Sequence, residues 1–93
     1  MPYIPQEDRD RIDLKLEHVS NTIKTPGELN YAITRMALLY IKTYGLNYNT
    51  IASVVGTLHL VFSELQRRLI NLYEDEKIAD NGDVPEFLEG IHL

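Results

Sequence analysis

The sequence of 93 residues contains no cysteine. This absence excludes disulfide bonds, thiolate metal sites and cysteine nucleophiles, and it suits a reducing compartment. No apolar run is long enough to cross a bilayer, and the N-terminus lacks the layout of a secretory signal peptide. We therefore expect a cytoplasmic protein that has no membrane partner.

Positive charge is scarce in the C-terminal part of the chain. The formal net charge is −5. Residues 1–72 hold eight Lys or Arg and seven Asp or Glu, whereas residues 73–93 hold one Lys and seven acids. A protein that binds duplex nucleic acid needs a basic surface, so we expect no duplex nucleic acid as a partner.

The sequence also lacks the common catalytic and metal-binding motifs. It contains no His-Glu-x-x-His, no Gly-rich phosphate loop, no Gly-x-Ser-x-Gly and no Cys/His pair. An EF-hand with Gly82 at its sixth position would begin at Lys77 and end at Leu88, which are not calcium ligands. We therefore expect no enzymatic activity, no cofactor and no metal site.

A continuous apolar pattern runs through residues 49–72 and predicts the central helix. Its apolar residues recur four and three apart for three heptads, which is a 3.5-residue repeat. They are Ile51, Val55, Leu58, Phe62, Leu65, Leu69 and Leu72. Further apolar residues lie beside this seam, so the helix has more apolar surface than two small helices can cover. This surplus predicts a homo-oligomer, a dimer or higher.

Two more helices precede the central one. Apolar spacing predicts the first over residues 5–23. The segment Thr25-Pro26-Gly27-Glu28 is a capping box that begins the second, which should run over 26–44 and end at Gly45. Asn47 or Asn49 is a good N-cap for the third helix, predicted over 49–73.

These elements predict an all-α fold. We expect a small helical bundle of three main helices, in which helices two and three form an antiparallel hairpin beside the N-terminal helix. Residues 1–84 should form one helical domain, followed by an acidic C-terminal tail over 85–93. Phe87, Leu88 and Ile91 in this tail could dock on the bundle or on a neighbouring chain. Gly56 inside the third helix predicts a close helix crossing.

One side of the second helix carries an aromatic ring and two cations. Tyr31, Arg35 and Lys42 share this side, away from the apolar stripe. An antiparallel hairpin would bring Tyr31 and Arg35 alongside the later part of the third helix, which contains Arg67 and Arg68. Cations and aromatic rings are the groups that bind phosphates and bases. The candidate ligand-binding residues are Tyr31, Arg35, Lys42, Arg67, Arg68 and Tyr73.

Three separated motifs stand out along the chain: MPYIPQEDR at 1–9, TPGELNYAITR at 25–35, and Arg67-Arg68 followed by YEDEKI at 73–78 and NGDV at 81–84. Together they resemble a family of small uncharacterised prokaryotic and phage proteins. The resemblance spans residues 1–84 and implies a compact helical protein encoded by phages as well as cells. It implies no particular activity.

Two functions of different classes agree with these features. The first is a non-enzymatic homo-oligomer that binds a small anionic ligand such as a nucleotide, which in a phage would suit sequestration of a host immune signal. The second is a protein-interaction or assembly module without a small-molecule ligand. In that case the same cations form ion pairs, for example Arg67 with Glu64, with Glu74 or with a neighbouring helix.

Overall fold

Helices form most of residues 3–90, the part of the chain that this computed structural model describes. No strand occurs in that part, and the predicted all-α fold with three main helices is confirmed. The α-helices are α1 (Gln6–Ser20), α2 (Pro26–Tyr44), α3 (Tyr48–Leu65), α4 (Asn71–Asn81) and α5 (Pro85–Glu89), and a π-helical segment, Gln66–Ile70, joins α3 to α4.

The beginning of α2 agrees with the predicted capping box in one of its two hydrogen bonds. The Thr25 hydroxyl oxygen accepts from the Glu28 backbone N–H at 3.1 Å. The Glu28 carboxylate, however, accepts from the backbone N–H of Lys24 at 2.9 Å rather than from that of Thr25. The backbone of Thr25 is extended (φ −131°, ψ 157°), as a residue before proline should be, so α2 has a sharp start.

The connection between α2 and α3 also follows its sequence signals. Gly45 adopts φ +109°, a conformation that favours glycine, and its N–H donates to the Ile41 carbonyl at 2.7 Å. Of the two candidate N-caps, Asn47 is the one used, because its side-chain oxygen accepts from the Thr50 N–H at 3.0 Å.

The first helix ends three residues earlier than the apolar spacing predicts. It stops at Ser20, and the Ser20 hydroxyl donates to the Glu17 carbonyl at 3.0 Å. The Thr22 hydroxyl donates to the Val19 carbonyl at 2.7 Å. Hydroxyl side chains that bond to nearby carbonyls compete with the helix, which explains the early end.

The regular heptad seam predicted up to Leu72 is wrong beyond Leu65. Over Gln66–Ile70 the helix is π-helical, and the Asn71 N–H donates to the Gln66 carbonyl five residues earlier. The side chains of these two residues are also hydrogen-bonded, Gln66 Nε2 to Asn71 Oδ1, at 2.9 Å. A π turn holds one residue more than an α turn, so later residues are rotated by about 100°. Tyr73 therefore takes the angular position that the heptad assigns to Leu72.

Helix α4 continues past the acidic stretch to Asn81. Gly82 ends it with φ +79°, and the Gly82 N–H donates to the Ile78 carbonyl at 2.8 Å. The predicted turn at Asn81-Gly82 is thus where the helix stops. Part of the predicted tail is the short helix α5, and Ile91 lies outside the described residues.

No residue among 3–90 is buried within the single chain. The chain divides into two units, Met1–Val55 and Gly56–Leu93, called here the N-terminal and C-terminal units. In both units large apolar side chains face solvent; Leu14 is 75% exposed and Phe62 is 63% exposed. The close crossing predicted at Gly56 is also wrong for the single chain, because no described atom other than the adjacent residues and the nearby backbone of α3 lies within 4 Å of a Cβ added there.

Candidate functional site

The first candidate group lies on α2 in the N-terminal unit. Tyr31 and Arg35 are one helical turn apart, and Lys42 follows two turns after Arg35 on the same side. Tyr31 is 67% exposed, and both cations are exposed. Within residues 3–90, neither Arg35 nor Lys42 forms an ion pair. This side of α2 therefore presents an accessible ring and two cationic groups that no carboxylate of the described residues pairs with.

Tyr31 also lines an open groove where α1 leads into α2. The groove has a volume of about 590 Å³, which is within the range of small-ligand pockets. Its lining is mostly apolar or hydroxyl-bearing, and its one carboxylate, that of Glu28, already accepts the Lys24 N–H. The lining residues are Val19, Thr22, Ile23, Thr25, Gly27, Glu28, Tyr31 and Ala32. Such a lining suits an uncharged planar group better than a phosphate.

The second candidate group is centred on Glu64 in the C-terminal unit. Its carboxylate accepts from Arg68 at 2.9 Å and from Arg67 at 3.4 Å. The Glu64 side chain is only 20% exposed, whereas those of Arg67 and Arg68 are 71% and 61% exposed. The hydrogen bond from Arg68 is the largest cause that holds the pKa of Glu64 below its usual range, and Arg67 adds to it.

The two arginines thus share one carboxylate, which leaves the cluster with a formal surplus of one positive charge. Ion pairs of largely exposed arginines contribute about 0–1 kcal/mol. Such pairs exchange readily for another anion, whether a phosphate or a carboxylate of a second chain. The predicted ion pair of Arg67 with Glu64 is present. The shorter ion pair of Arg68 with Glu64 was not predicted, although a spacing of i,i+4 on a helix is typical of such pairs.

Tyr73 lies on α4, and its ring already contacts a side chain of the same helix. The Lys77 ammonium is 5.4 Å from the centre of the Tyr73 ring, within the range of a cation–π interaction. The ring itself is 60% exposed. Because the π segment rotates this part of the helix, Tyr73 continues the apolar side of α3 formed by Phe62 and Leu65.

Five of the six candidate residues therefore fall into two local groups, and the sixth, Tyr73, contacts Lys77 on α4. The structure brings Arg67 and Arg68 together at Glu64, and it aligns Tyr31, Arg35 and Lys42 along α2. The convergence of these two groups stays a prediction.

Among the described residues, no three His, Asp or Glu side chains come together as a metal site requires. Over the same range, every helix is too short or too polar to span a membrane.

The family model described as "Domain of unknown function (DUF6899)" matches residues 1–84, so the chain belongs to that family. No curated protein and no solved structure matches the chain.

Proposed function

We propose that this member of the DUF6899 family is a non-enzymatic homo-oligomer that binds a small anionic ligand of nucleotide type. The observation that carries the oligomer is the lack of any buried residue among 3–90. A folded chain of this size needs to bury roughly 60% of its unfolded surface. A second copy of the chain is the simplest source of the missing contacts.

The ligand-binding part of the proposal depends on the side of α2 that carries Tyr31, Arg35 and Lys42. A guanidinium can donate two parallel hydrogen bonds to a phosphate, and an exposed tyrosine ring can stack on a base. The absence of ion pairs at Arg35 and Lys42 within residues 3–90 means that no carboxylate there has to be displaced. The groove beside Tyr31 offers space for a base or ribose.

A cytoplasmic protein with this chemistry would hold its ligand without converting it. If the chain is a phage protein, as the resemblance of its motifs implies, the ligand would be a nucleotide signal of the host's immune response. Sequestration requires affinity and copy number rather than catalysis, which agrees with the lack of catalytic motifs.

A thermal-shift screen against cyclic and linear nucleotides tests the ligand. A ligand that binds only the folded protein raises the melting midpoint. Arg35→Ala should weaken binding by about 10- to 150-fold, because one hydrogen bond to a charged group contributes about 1.5–3 kcal/mol. Lys15→Ala on α1 is the matched control and should bind like the parent. A screen in which no nucleotide shifts the midpoint would remove the ligand from the proposal.

A second candidate function, an assembly module without a small-molecule ligand, is favoured by the pairs of Arg67 and Arg68 with Glu64. The two functions differ in what an Arg67→Ala, Arg68→Ala double variant loses. Lost nucleotide binding at unchanged particle mass assigns the arginines to the ligand site. Lost assembly, with no nucleotide bound by the parent protein, supports the assembly module.

A further inference from the structure

One side of α2 carries three kinds of functional group in a row. The row consists of Glu28, Tyr31, Ala32 and Arg35. Their spacing along the helix keeps these side chains within about 100° around its axis. Glu28, Tyr31 and Ala32 line the groove, and Arg35 continues the row beyond it. From the start of α2, the row therefore presents a carboxylate, an aromatic ring and a guanidinium.

The carboxylate of Glu28 is held in place at the groove and can still accept further hydrogen bonds. Its Oε1 atom accepts from the Lys24 backbone N–H at 2.9 Å, which fixes the side chain at the start of the helix. Among residues 3–90, no group donates to the second oxygen, Oε2. A carboxylate has about four lone-pair sites and no hydrogen to donate when it is ionised. Glu28 is therefore an acceptor for the N–H groups of a ligand in the groove.

The Thr25 hydroxyl places a donor at the same turn. Its oxygen accepts from the Glu28 backbone N–H at 3.1 Å, and its hydrogen is not donated to any group of the described residues. A hydroxyl can donate one hydrogen bond while it accepts others. The groove lining thus combines a hydroxyl donor with a carboxylate acceptor at the start of α2.

Nucleobases differ in the order of donors and acceptors along the Watson–Crick edge. Guanine presents the acceptor O6 and then two adjacent donors, N1–H and the N2 amino group. Adenine and cytosine each present an amino donor beside a ring-nitrogen acceptor, and uracil presents one donor between two acceptors. A carboxylate that accepts two adjacent N–H groups therefore matches guanine, whose O6 then needs a donor.

We propose that the groove beside Tyr31 binds a guanine base, and that Glu28 selects this base through N1–H and the N2 amino group. This inference rests on the proposed nucleotide-type ligand and specifies its base. The Thr25 hydroxyl donates to O6. The Tyr31 ring, which is 67% exposed, stacks on the base.

The position of Arg35 agrees with this placement of the base. Glu28 and Arg35 are seven residues apart, which is about 10.5 Å along the helix axis. This length is comparable to that of a guanosine monophosphate from the Watson–Crick edge to the phosphate. With the base edge at Glu28, the phosphate lies near the guanidinium of Arg35, which can donate two parallel hydrogen bonds to it.

Calorimetric titration of the full chain with GMP, IMP and AMP tests the choice of base. IMP lacks only the N2 amino group, whereas AMP reverses the donor and acceptor at this edge. GMP should bind about 5- to 150-fold more tightly than AMP, which is the discrimination that one bidentate contact provides, and IMP should lie between them. Equal affinities for GMP and AMP, or binding of adenine nucleotides alone, would overturn the inference and leave the proposed function intact. If no nucleotide of any base binds, both fail.

Glu28→Gln tests the carboxylate while it keeps the start of α2. Glutamine can still accept from the Lys24 N–H, since Glu and Gln both serve in a capping box, but its amide nitrogen would face the N–H groups of guanine. The variant should lose the preference for GMP over AMP and keep the melting midpoint of the parent.

The matched control is Glu17→Gln on α1. It removes the same charge from a residue that does not line the groove, so it should keep the parent's preference for GMP. A Glu28→Gln variant that prefers GMP as strongly as the parent would overturn the inference. If circular dichroism shows that this variant loses helix content, the affinities of the parent for the three nucleotides decide the inference alone.

Discussion

Phe62→Ala should dissociate the proposed homo-oligomer while it leaves the helices intact. Phe62 is 63% exposed in the single chain, on the apolar side of α3 that it shares with Leu58 and Leu65. Complete burial of a large apolar side chain is worth about 1.5–3 kcal/mol. A neighbouring chain that covers the exposed part of Phe62 would therefore contribute about 1–2 kcal/mol for each copy.

Both copies lose this contribution in a dimer. The association free energy should weaken by about 2–4 kcal/mol, which raises the dissociation constant about 30- to 1,000-fold. Within the single chain only about a third of the Phe62 side chain is covered, and alanine has the higher helix propensity, so helix content should hardly change.

Sedimentation equilibrium over a range of protein concentrations measures the dissociation constant, and far-UV circular dichroism measures helix content. The matched control is Leu14→Ala on α1, since Leu14 is apolar and 75% exposed but lies outside this surface. The account is refuted if Phe62→Ala changes the dissociation constant no more than the control does. It is also refuted if the variant loses helix content in proportion to its loss of association.

Three smaller perturbations test local features of the structure. The hydrogen bond from Arg68 is the main cause of the lowered pKa of Glu64. The stability that this carboxylate contributes should therefore be complete above the usual glutamate pKa of about 4.3 and should fall as pH drops through the lowered pKa. An acid titration of helix content in which the parent and Glu64→Gln have the same midpoint would contradict this. Gly56→Ala should stabilise α3 by about 1 kcal/mol in chemical denaturation, since no described atom other than the adjacent residues and the nearby backbone of α3 lies within 4 Å of the added Cβ; destabilisation would indicate that another chain approaches Gly56 closely. Thr25→Ala should cost about 1 kcal/mol by the same measurement because the Glu28 N–H loses its acceptor, and an unchanged midpoint would show that the cap is dispensable.

The start and the end of α2 could be predicted because each depends on one or two residues. Pro26 after Thr25 fixes the start of α2, and Gly45 fixes its end through a backbone conformation that glycine adopts most easily. The π segment could not be predicted in this way. Gln66, Arg67 and Leu69 are good α-helix formers, and nothing in their types distinguishes five residues that bond i→i+5 from five that bond i→i+4.

The candidate site was predictable only as far as helix geometry determines it. The alignment of Tyr31 with Arg35 follows from a spacing of four residues, and so does the pairing of Glu64 with Arg68. The groove beside Tyr31 depends on the angle at which the chain turns from α1 into α2, which the hydroxyls of Ser20 and Thr22 help to set. Spacing along a helix carries no information about such an angle.

Light scattering coupled to size-exclusion chromatography tests the central claim, that this chain completes its core with further copies of itself. At protein concentrations of tens of micromolar, the account predicts a particle mass of two or more chains and a decrease in mass on dilution. A folded particle with the mass of one 10.7 kDa chain would contradict it.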